Sequence, residues 1–284
     1  MYSYLLLFAI GLILSCSAFA DSEAIRCVHT DESVSVKFKK ISKFGEVFVV
    51  DSGTQRHLRF DSVCGADQSS ISIVSPNQTV MEYVRNASLG LSYAREHNSA
   101  LIVGMGGGVF SNLLARKIPG IKIDAIEINR VVVDVAKEFF DVRESRNYRI
   151  HIQDAADYIA STKQHYDIIF LDAYSGDGIP EHLTTKEFFA RVGSLLNPGG
   201  VIVANFGLSS PRVYLQLADR LRDTMGATKC LHGSEEPNLV VIAADPELIS
   251  GANVESRSKK LDNALRFSFS LSDIAMQVKA CPRI

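Results

Sequence analysis

The sequence predicts an α/β fold in which a doubly wound, mainly parallel sheet follows a small antiparallel β module. From residue 99 onward, short apolar segments alternate with amphipathic segments of helical length. The short segments are apolar throughout, which is typical of parallel strands covered on both faces. Between residues 25 and 74, β-branched runs are broken by Gly, Asp and Ser, as in antiparallel hairpins.

The predicted elements follow this order along the chain. The β module contains VSVKFKKI, GEVFVVDSG, RHLRFDS and SSISIVS, and a helix is expected over 80–96. The parallel strands are ALIVGM, KIDAIEI, YRIHIQD, YDIIFLDAY and GVIVANF, separated by the helices FSNLLARKI, RVVVDVAKEFF, AADYIAST and TKEFFARVGSLL. A final helix, SPRVYLQLADRLRDTM, precedes a hairpin made of ATKCLHG and NLVVIAA. We therefore expect a leader at 1–20, a β module at 21–79 and an α/β domain at 80–284.

The first twenty residues form a separate segment. The apolar run YLLLFAIGLILS is followed by small residues, Ala18-Phe19-Ala20, and then by the charged stretch DSEAIR. This pattern is typical of a secretory signal peptide cleaved before Asp21. We expect an exported protein, periplasmic or secreted. An uncleaved membrane anchor and a buried N-terminal helix are the alternatives.

Four cysteines remain after such a cleavage, and none of them forms a CxxC pair. They are Cys27, Cys64, Cys230 and Cys281. In an oxidising compartment this pattern favours one or two disulfides over a metal site. Four unrelated buried thiols are the alternative. The net charge of −2 and the lack of a basic run argue against a nucleic-acid partner.

Glycines or acids follow each of the first four predicted parallel strands. In chain order these residues are Gly104, Gly106, Gly107 and Gly108, then Glu127, Asp154 and Asp172. Because ligands of such sheets bind at the carboxyl ends of the strands, we expect these residues to form one site. The turn NPGG before the fifth strand belongs to the same pattern.

These residue types suit an adenosine pocket. Glycines allow a ligand to approach the backbone closely, and a carboxylate such as Glu127 can accept from two ribose hydroxyls. The dinucleotide pattern GxGxxG would need glycine where Val109 stands, so no pyrophosphate is required. Asp154 and Ala155 suit an adenine. The alternatives are Asp154 as a helix N-cap, Glu127 as a solvated strand-end acid and Asp172 as a structural strand-end carboxylate.

Five segments contain the predicted strand ends and the turns beside them: GMGGGVFSNLL, IDAIEIN, IQDAADYI, YDIIFLDAYSGDGIP and LLNPGGVIVANF. They resemble the spermidine synthase family, whose catalytic domain has the Rossmann-like class I S-adenosylmethionine-dependent methyltransferase fold. The most specific stretch is DAYSGDGIPEHLTTKEFF, and VVDSGTQ in the β module is also similar. The resemblance covers roughly residues 47–206 and includes the bacterial spermidine-synthase-like relatives.

The resemblance implies a role for each candidate residue. Glu127 would bind the ribose, Asp154 with Ala155 the adenine, and the glycines at 104–108 the amino-acid or aminopropyl tail. Asp172 would be the catalytic residue, which accepts a proton from the attacking amine or orients it. The residues that would line the acceptor side are Tyr83, Tyr174 and Asp177. The co-substrate would be S-adenosylmethionine or its decarboxylated form, with no metal.

Three of the residues near the predicted site could instead have purely structural roles. Tyr83 is otherwise a half-buried packing residue, Asp177 a turn residue, and His182 either a catalytic base or a loop histidine satisfied locally.

Three departures from the family pattern keep other functions open. Val109 replaces an acid that usually holds the amine of the co-substrate. Glu82 stands alone where an Asp-Glu pair is usual, and DAYSGDG replaces DSSDP. We expect an aminopropyltransferase acting on a small-molecule amine. A methyltransferase and an exported, non-catalytic nucleoside-binding protein are the alternatives. No membrane contact is expected beyond the leader, and a homodimer is left open.

Overall fold

The computed structural model of the chain describes residues 25–27, 32–173, 178–207, 211–235, 238–250 and 253–283. Its strands are β1 (Ile25–Cys27), β2 (Glu32–Ser42), β3 (Gly45–Ser52), β4 (Gln55–Phe60), β5 (Asp67–Ser72), β6 (Ser99–Val103), β7 (Lys122–Glu127), β8 (Tyr148–Ile152), β9 (Tyr166–Leu171), β10 (Leu196–Gly207), β11 (Ala227–His232), β12 (Asn238–Ala244) and β13 (Lys279–Ala280). Its helices are α1 (Glu82–Ser88), α2 (Val109–Lys117), α3 (Arg130–Phe139), α4 (Ala155–Ser161), α5 (Lys186–Gly193), α6 (Pro211–Met225), α7 (Pro246–Ser250), α8 (Val254–Leu265) and α9 (Leu271–Ala275). The predicted leader lies outside the described residues.

The first five strands form an antiparallel sheet in chain order, as the sequence predicts. Val47, Val49 and Leu58 face α3 and are completely or almost completely buried against its valines. Because α3 follows directly after β7, this packing holds the small sheet against the carboxyl edge of the larger one. The boundary expected at residue 80 stays a prediction.

The second sheet has eight strands in the order β13-β11-β12-β10-β9-β6-β7-β8. The five from β10 to β8 pair in parallel. The remaining three add by antiparallel pairing, which gives the predicted C-terminal hairpin. Two apolar clusters cover the opposite faces of this sheet, one with α1 and α2 and the other with α4, α5 and α6. The fold is therefore the predicted doubly wound, mainly parallel α/β sheet.

The region after the hairpin differs from the prediction. The helix α6 is not the last, because α7, α8, α9 and the short edge strand β13 follow. In α8 only Ser258 is buried, so the helix lacks the apolar stripe that makes a helix legible in a sequence. The predicted helix over 80–96 is also shorter, since α1 ends at Ser88 and a 3₁₀ turn, Leu89–Ser92, continues it.

Two disulfides join the cysteines that the sequence left unassigned. Cys27 bonds to Cys64 within the small sheet, and Cys230 bonds to Cys281, which ties the C-terminal segment to β11. The alternative of four unrelated thiols was therefore wrong. Within the described ranges, no helix is long and apolar enough to cross a membrane.

We expect the double variant Cys230→Ser/Cys281→Ser to lose about 4 kcal/mol of unfolding free energy. The disulfide closes a loop of 51 residues, and opening it restores conformational freedom to the unfolded chain. Denaturant titration measures the change. As a control, dithiothreitol should destabilise the double variant less than the native protein, because only Cys27–Cys64 remains. An unchanged midpoint in the double variant would contradict the expected contribution.

Candidate active site

The carboxyl-terminal parts of four neighbouring strands lie in one row. The register aligns four buried residues, Ile126 of β7, Val103 of β6, Leu171 of β9 and Ala204 of β10, the last of which continues to Gly207. The next residue on each strand is, in the same order, Glu127, Gly104, Asp172 and Asn205. With neighbouring strands about 4.8 Å apart, the Cα atoms of Glu127 and Asp172 are separated by about 10 Å. The row therefore presents two acids on either side of a glycine turn.

The glycine turn has both a conformational and a steric reason for its composition. Gly104, Gly106 and Gly108 have φ values of +84°, +53° and +72°. A Cβ atom on Gly104 would lie 2.3 Å from the carbonyl oxygen of Asp172. Glycine at position 104 therefore lets the turn approach the Asp172 backbone more closely than a residue with a side chain could.

We expect Gly104→Ala to disturb the site far more than Gly120→Ala. Both glycines have φ near +80°, but nothing lies within 4 Å of a Cβ on Gly120. The left-handed conformation alone costs about 1–2 kcal/mol, which Gly120→Ala reports. The extra loss in Gly104→Ala measures the clash with Asp172. Thermal melts and nucleoside binding of both variants test this, and equal losses would contradict it.

The small β sheet supplies side chains at two points of this edge. Ser69 Oγ accepts a hydrogen bond from Gly107 N at 2.9 Å. Ser42 Oγ, in the β2–β3 hairpin, accepts one from Asn129 Nδ2 at 3.0 Å, two residues after Glu127. Ser42 and Ser69 were not predicted from the sequence, because the pattern of a strand does not indicate which of its hydroxyl groups will contact a distant turn.

Glu127 is half-buried, and its carboxylate is held by the backbone. Oε1 accepts from Asn129 N at 2.9 Å and Oε2 from Gly106 N at 3.2 Å. Burial raises the pKa of Glu127 above its ordinary value, although these backbone donors act in the opposite direction. A solvated strand-end acid, the alternative considered above, does not fit these contacts. Each oxygen retains acceptor capacity for a ligand hydroxyl.

Asp154 caps the helix α4, and Ala155 is the buried first residue of that helix. Asp154 Oδ1 accepts from Ala156 N at 2.7 Å. Asp154 lies two residues beyond Ile152, which pairs with Glu127 in the sheet. The N-cap alternative is therefore correct, and the same carboxylate also borders the site. His182 Nε2 lies 3.1 Å from its Oδ2, so His182 is not satisfied locally.

Asp172 is half-buried, and Asn205 on the neighbouring strand orients it. Asn205 Nδ2 donates to Asp172 Oδ1 at 2.8 Å. Asn205 was missed in the sequence, where it is one polar residue within the apolar strand GVIVANF. Its position in the row of strand ends is the signal that could have found it. The pair fixes one carboxylate oxygen and directs the other away from Asn205.

Tyr83 is buried on α1 and belongs to the apolar cluster that covers the α1 and α2 face of the large sheet. Its neighbour Glu82 is also buried and anchors the β11–β12 connection. The Glu82 carboxylate accepts from Ser234 N at 2.9 Å, Ser234 Oγ at 2.7 Å and Glu235 N at 2.7 Å. Arg85 then pairs with the Glu235 carboxylate at 2.6 Å. The Glu82 carboxylate thus binds the β11–β12 connection to α1.

Tyr174 and Asp177, the other two predicted acceptor residues, lie outside the described residues. The roles of all the predicted site residues stay predictions. Next to Asp172 lies an apolar hollow whose lining includes Ile179, Leu183, Phe188 and Phe206. A wider surface groove between α5 and α6 contains none of the predicted site residues. In the described part of the chain, no three His, Cys, Asp or Glu side chains cluster to hold a metal.

Residues 82–229 match the spermine/spermidine synthase domain, which is more than half of the chain. The chain belongs to this family. The matched segment runs from α1 into β11 and contains Tyr83, the glycine turn and the whole row of strand ends. The spermine/spermidine synthase match therefore coincides with the site that the geometry defines.

Curated relatives from bacteria support the family. A polyamine aminopropyltransferase of Vibrio vulnificus is 35% identical over 188 residues, which are 65% of this chain and 62% of the relative. A second, from Chromobacterium violaceum, is 28% identical over 238 residues, 82% of this chain and 89% of the relative. The chain thus spans less than two thirds of the Vibrio protein.

Solved structures share the fold. A spermidine synthase in complex with the transition-state analogue AdoDATO superposes with a TM-score of 0.70 at 16% identity, over 85% of this chain and 84% of that one. Human methyltransferase-like protein 13 in complex with SAH superposes with a TM-score of 0.62 at 23% identity, over 67% of this chain and 95% of that one. The spermine/spermidine synthase family and this methyltransferase thus have the same α/β core.

Proposed function

We propose that this protein transfers an aminopropyl group from decarboxylated S-adenosylmethionine to a small-molecule amine. The observation that carries the proposal is the row of strand ends. It holds a carboxylate suited to a ribose at Glu127, a side-chain-free turn at Gly104 and an oriented carboxylate at Asp172. The family and the named activity of its relatives support the same reaction.

The nucleoside part of the co-substrate fits the Glu127 side of the row. The Glu127 carboxylate would accept from the two ribose hydroxyls while keeping its backbone donors, Asn129 N and Gly106 N. Asp154 would accept from the exocyclic amine of the adenine. The sulfonium and its three-carbon tail would then lie along the turn between Glu127 and Asp172, which Gly104 allows to pack directly against the Asp172 backbone.

The chemistry is a direct displacement at the tail carbon bonded to sulfur. The acceptor nitrogen forms a bond to this carbon with its lone pair, and the carbon–sulfur bond breaks. Its electrons neutralise the sulfonium, which leaves as the thioether 5′-methylthioadenosine. The new secondary ammonium gives up one proton, and Asp172 is the group positioned to take it. Alignment of nucleophile and leaving group supplies most of the rate gain.

Asp172 is suited to this proton because Asn205 holds its carboxylate in place. The hydrogen bond from Asn205 Nδ2 to Oδ1 at 2.8 Å fixes the orientation of the group that would receive the proton. The attacking amine is uncharged, because only then does it have the lone pair that forms the new bond, and the negative carboxylate can accept its N–H hydrogen bond before taking the proton. Tyr83, Tyr174 and Asp177 would complete the acceptor side.

A methyltransferase is the second candidate, and one observation favours it. The first turn of α2, which begins at Val109, contains no acid. An acid there would hold the amine of the co-substrate tail, and it would repel the carboxylate of intact S-adenosylmethionine. Because Val109 is uncharged, this repulsion of the intact co-substrate is absent.

We further propose that the protein acts in an oxidising compartment after export. The signal-peptide pattern at 1–20 supports this, and so do the two disulfides, because such bonds persist mainly outside the reducing cytosol. Alkylation of the protein isolated from its native cells, followed by mass spectrometry, tests the proposal. Oxidised cysteines and an N-terminus at Asp21 are expected, whereas free thiols and an intact leader would contradict it.

Product analysis by mass spectrometry separates the functions. The full chain is incubated with decarboxylated or intact S-adenosylmethionine and a panel of diamines and monoamines. We expect 5′-methylthioadenosine and an amine heavier by one aminopropyl unit, formed only from the decarboxylated co-substrate. A methylated product from the intact co-substrate would support the methyltransferase instead. Nucleoside binding without turnover would indicate the non-catalytic protein.

A further inference from the structure

His182 reaches the predicted adenine side of the site from a different element. It lies in a 3₁₀ turn, Glu181–Leu183, which precedes α5. Its Nε2 atom is 3.1 Å from Asp154 Oδ2, across 28 positions of the chain. Because a carboxylate only accepts, this nitrogen carries the hydrogen and donates it. None of the hydrogen bonds described for this turn joins the His182 side chain to another residue of the turn.

The contact completes the fixation of the Asp154 carboxylate. Ala156 N holds Oδ1 from the first turn of α4, and His182 holds Oδ2 from the opposite side. Two donors on two elements set both the position and the plane of the group. Each carboxylate oxygen can accept a second hydrogen bond, so a ligand amine still finds an acceptor in a defined direction.

The turn around His182 does not need this contact to fold. Leu183 is buried and its N–H donates to Pro180 O at 2.9 Å, while Thr184 N donates to Glu181 O at 3.0 Å. Thr184 O in addition accepts from Arg220. The His182 side chain is 53% exposed, and ion pairs at such sites contribute little to stability.

We propose that His182 is a positioning residue for the nucleoside: it orients Asp154 to accept the exocyclic amine of the purine. The inference rests on the proposed function, because it assumes that an adenine nucleoside binds beside Asp154. It predicts that His182 affects binding of the nucleoside and leaves the chemical step at Asp172 nearly unchanged. Only the hydrogen bond from Nε2 is required, so a glutamine amide at this position can replace it.

Calorimetry with 5′-methylthioadenosine tests the inference on the full chain. We expect His182→Ala to weaken binding roughly tenfold, the size of one hydrogen bond to a charged group. His182→Gln should restore nearly native affinity, because its amide nitrogen can occupy the place of Nε2. The exposed His165 offers a matched control, and His165→Ala should bind as the native protein does.

Two further readouts separate positioning from a structural role. In steady state, His182→Ala should raise KM for the nucleoside co-substrate and keep kcat, with an unchanged melting temperature. In an Asp154→Ala background, His182→Ala should cause no further loss of binding.

Native affinity in His182→Ala, equal losses in the alanine and glutamine variants, or additive losses with Asp154→Ala would overturn the role of His182. Failure of the native protein itself to bind 5′-methylthioadenosine would instead overturn the proposed function.

Discussion

We expect Asp172→Asn to lower the rate of aminopropyl transfer by about 10²- to 10⁴-fold, the usual loss when a general base is removed. Asparagine keeps the size of the side chain and the acceptor oxygen that Asn205 Nδ2 contacts, so the site retains its shape. What is lost is the negative charge and the ability to take the proton from the new ammonium. Affinity for 5′-methylthioadenosine should barely change.

Single-turnover kinetics and calorimetry on the same preparation measure the two quantities. Asp134→Asn provides a control, because Asp134 is exposed on α3 and away from the row of strand ends. An equal loss of rate and of nucleoside affinity would show that Asp172 shapes the pocket rather than serving the chemistry.

We expect Glu127→Gln to weaken nucleoside binding by about 10²-fold, because two hydrogen bonds from ribose hydroxyls to a charged acceptor would be impaired. The glutamine amide also places an N–H₂ group against one of the two backbone donors, Asn129 N or Gly106 N, and that donor then loses its acceptor. Calorimetry with 5′-methylthioadenosine gives the change. The exposed Glu138 offers the matched control Glu138→Gln, which should bind as the native protein does.

The pH dependence of the same measurement has a defined sign. Ionised Glu127 accepts from both hydroxyls, and protonation removes one acceptor, so affinity falls as the pH falls through its pKa. Because burial raises this pKa above 4.5, the loss should begin at a higher pH than for an ordinary glutamate. Glu127→Gln should lack this component. A native pH profile identical to that of the variant would exclude Glu127 from the pocket.

The fold and the edge that carries the site were readable in the sequence, because both depend on local patterns. Buried parallel strands are apolar throughout, and their carboxyl ends meet at one edge, so Gly104, Glu127 and Asp172 could be grouped before any coordinates. The structure adds the register, which shows that these three residues occupy equivalent positions on neighbouring strands.

Contacts between distant segments could not be predicted in this way. The partner of Gly107 is Ser69 on another sheet, and the partner of Asp154 is His182 on a later turn. Neither leaves a periodic signal, because a single polar atom at the right place satisfies each of them. The helix α8 was missed for a related reason, since an exposed helix without an apolar stripe resembles a polar loop.

The proposed function requires a nucleoside sulfonium to lie along the row from Glu127 to Asp172. A crystal structure of the full chain with 5′-methylthioadenosine tests this most directly. We expect the ribose hydroxyls on the Glu127 carboxylate, the purine amine beside Asp154 and the sulfur over Gly104, facing Asp172. A nucleoside bound elsewhere, or bound here with its sulfur directed away from Asp172, would contradict it.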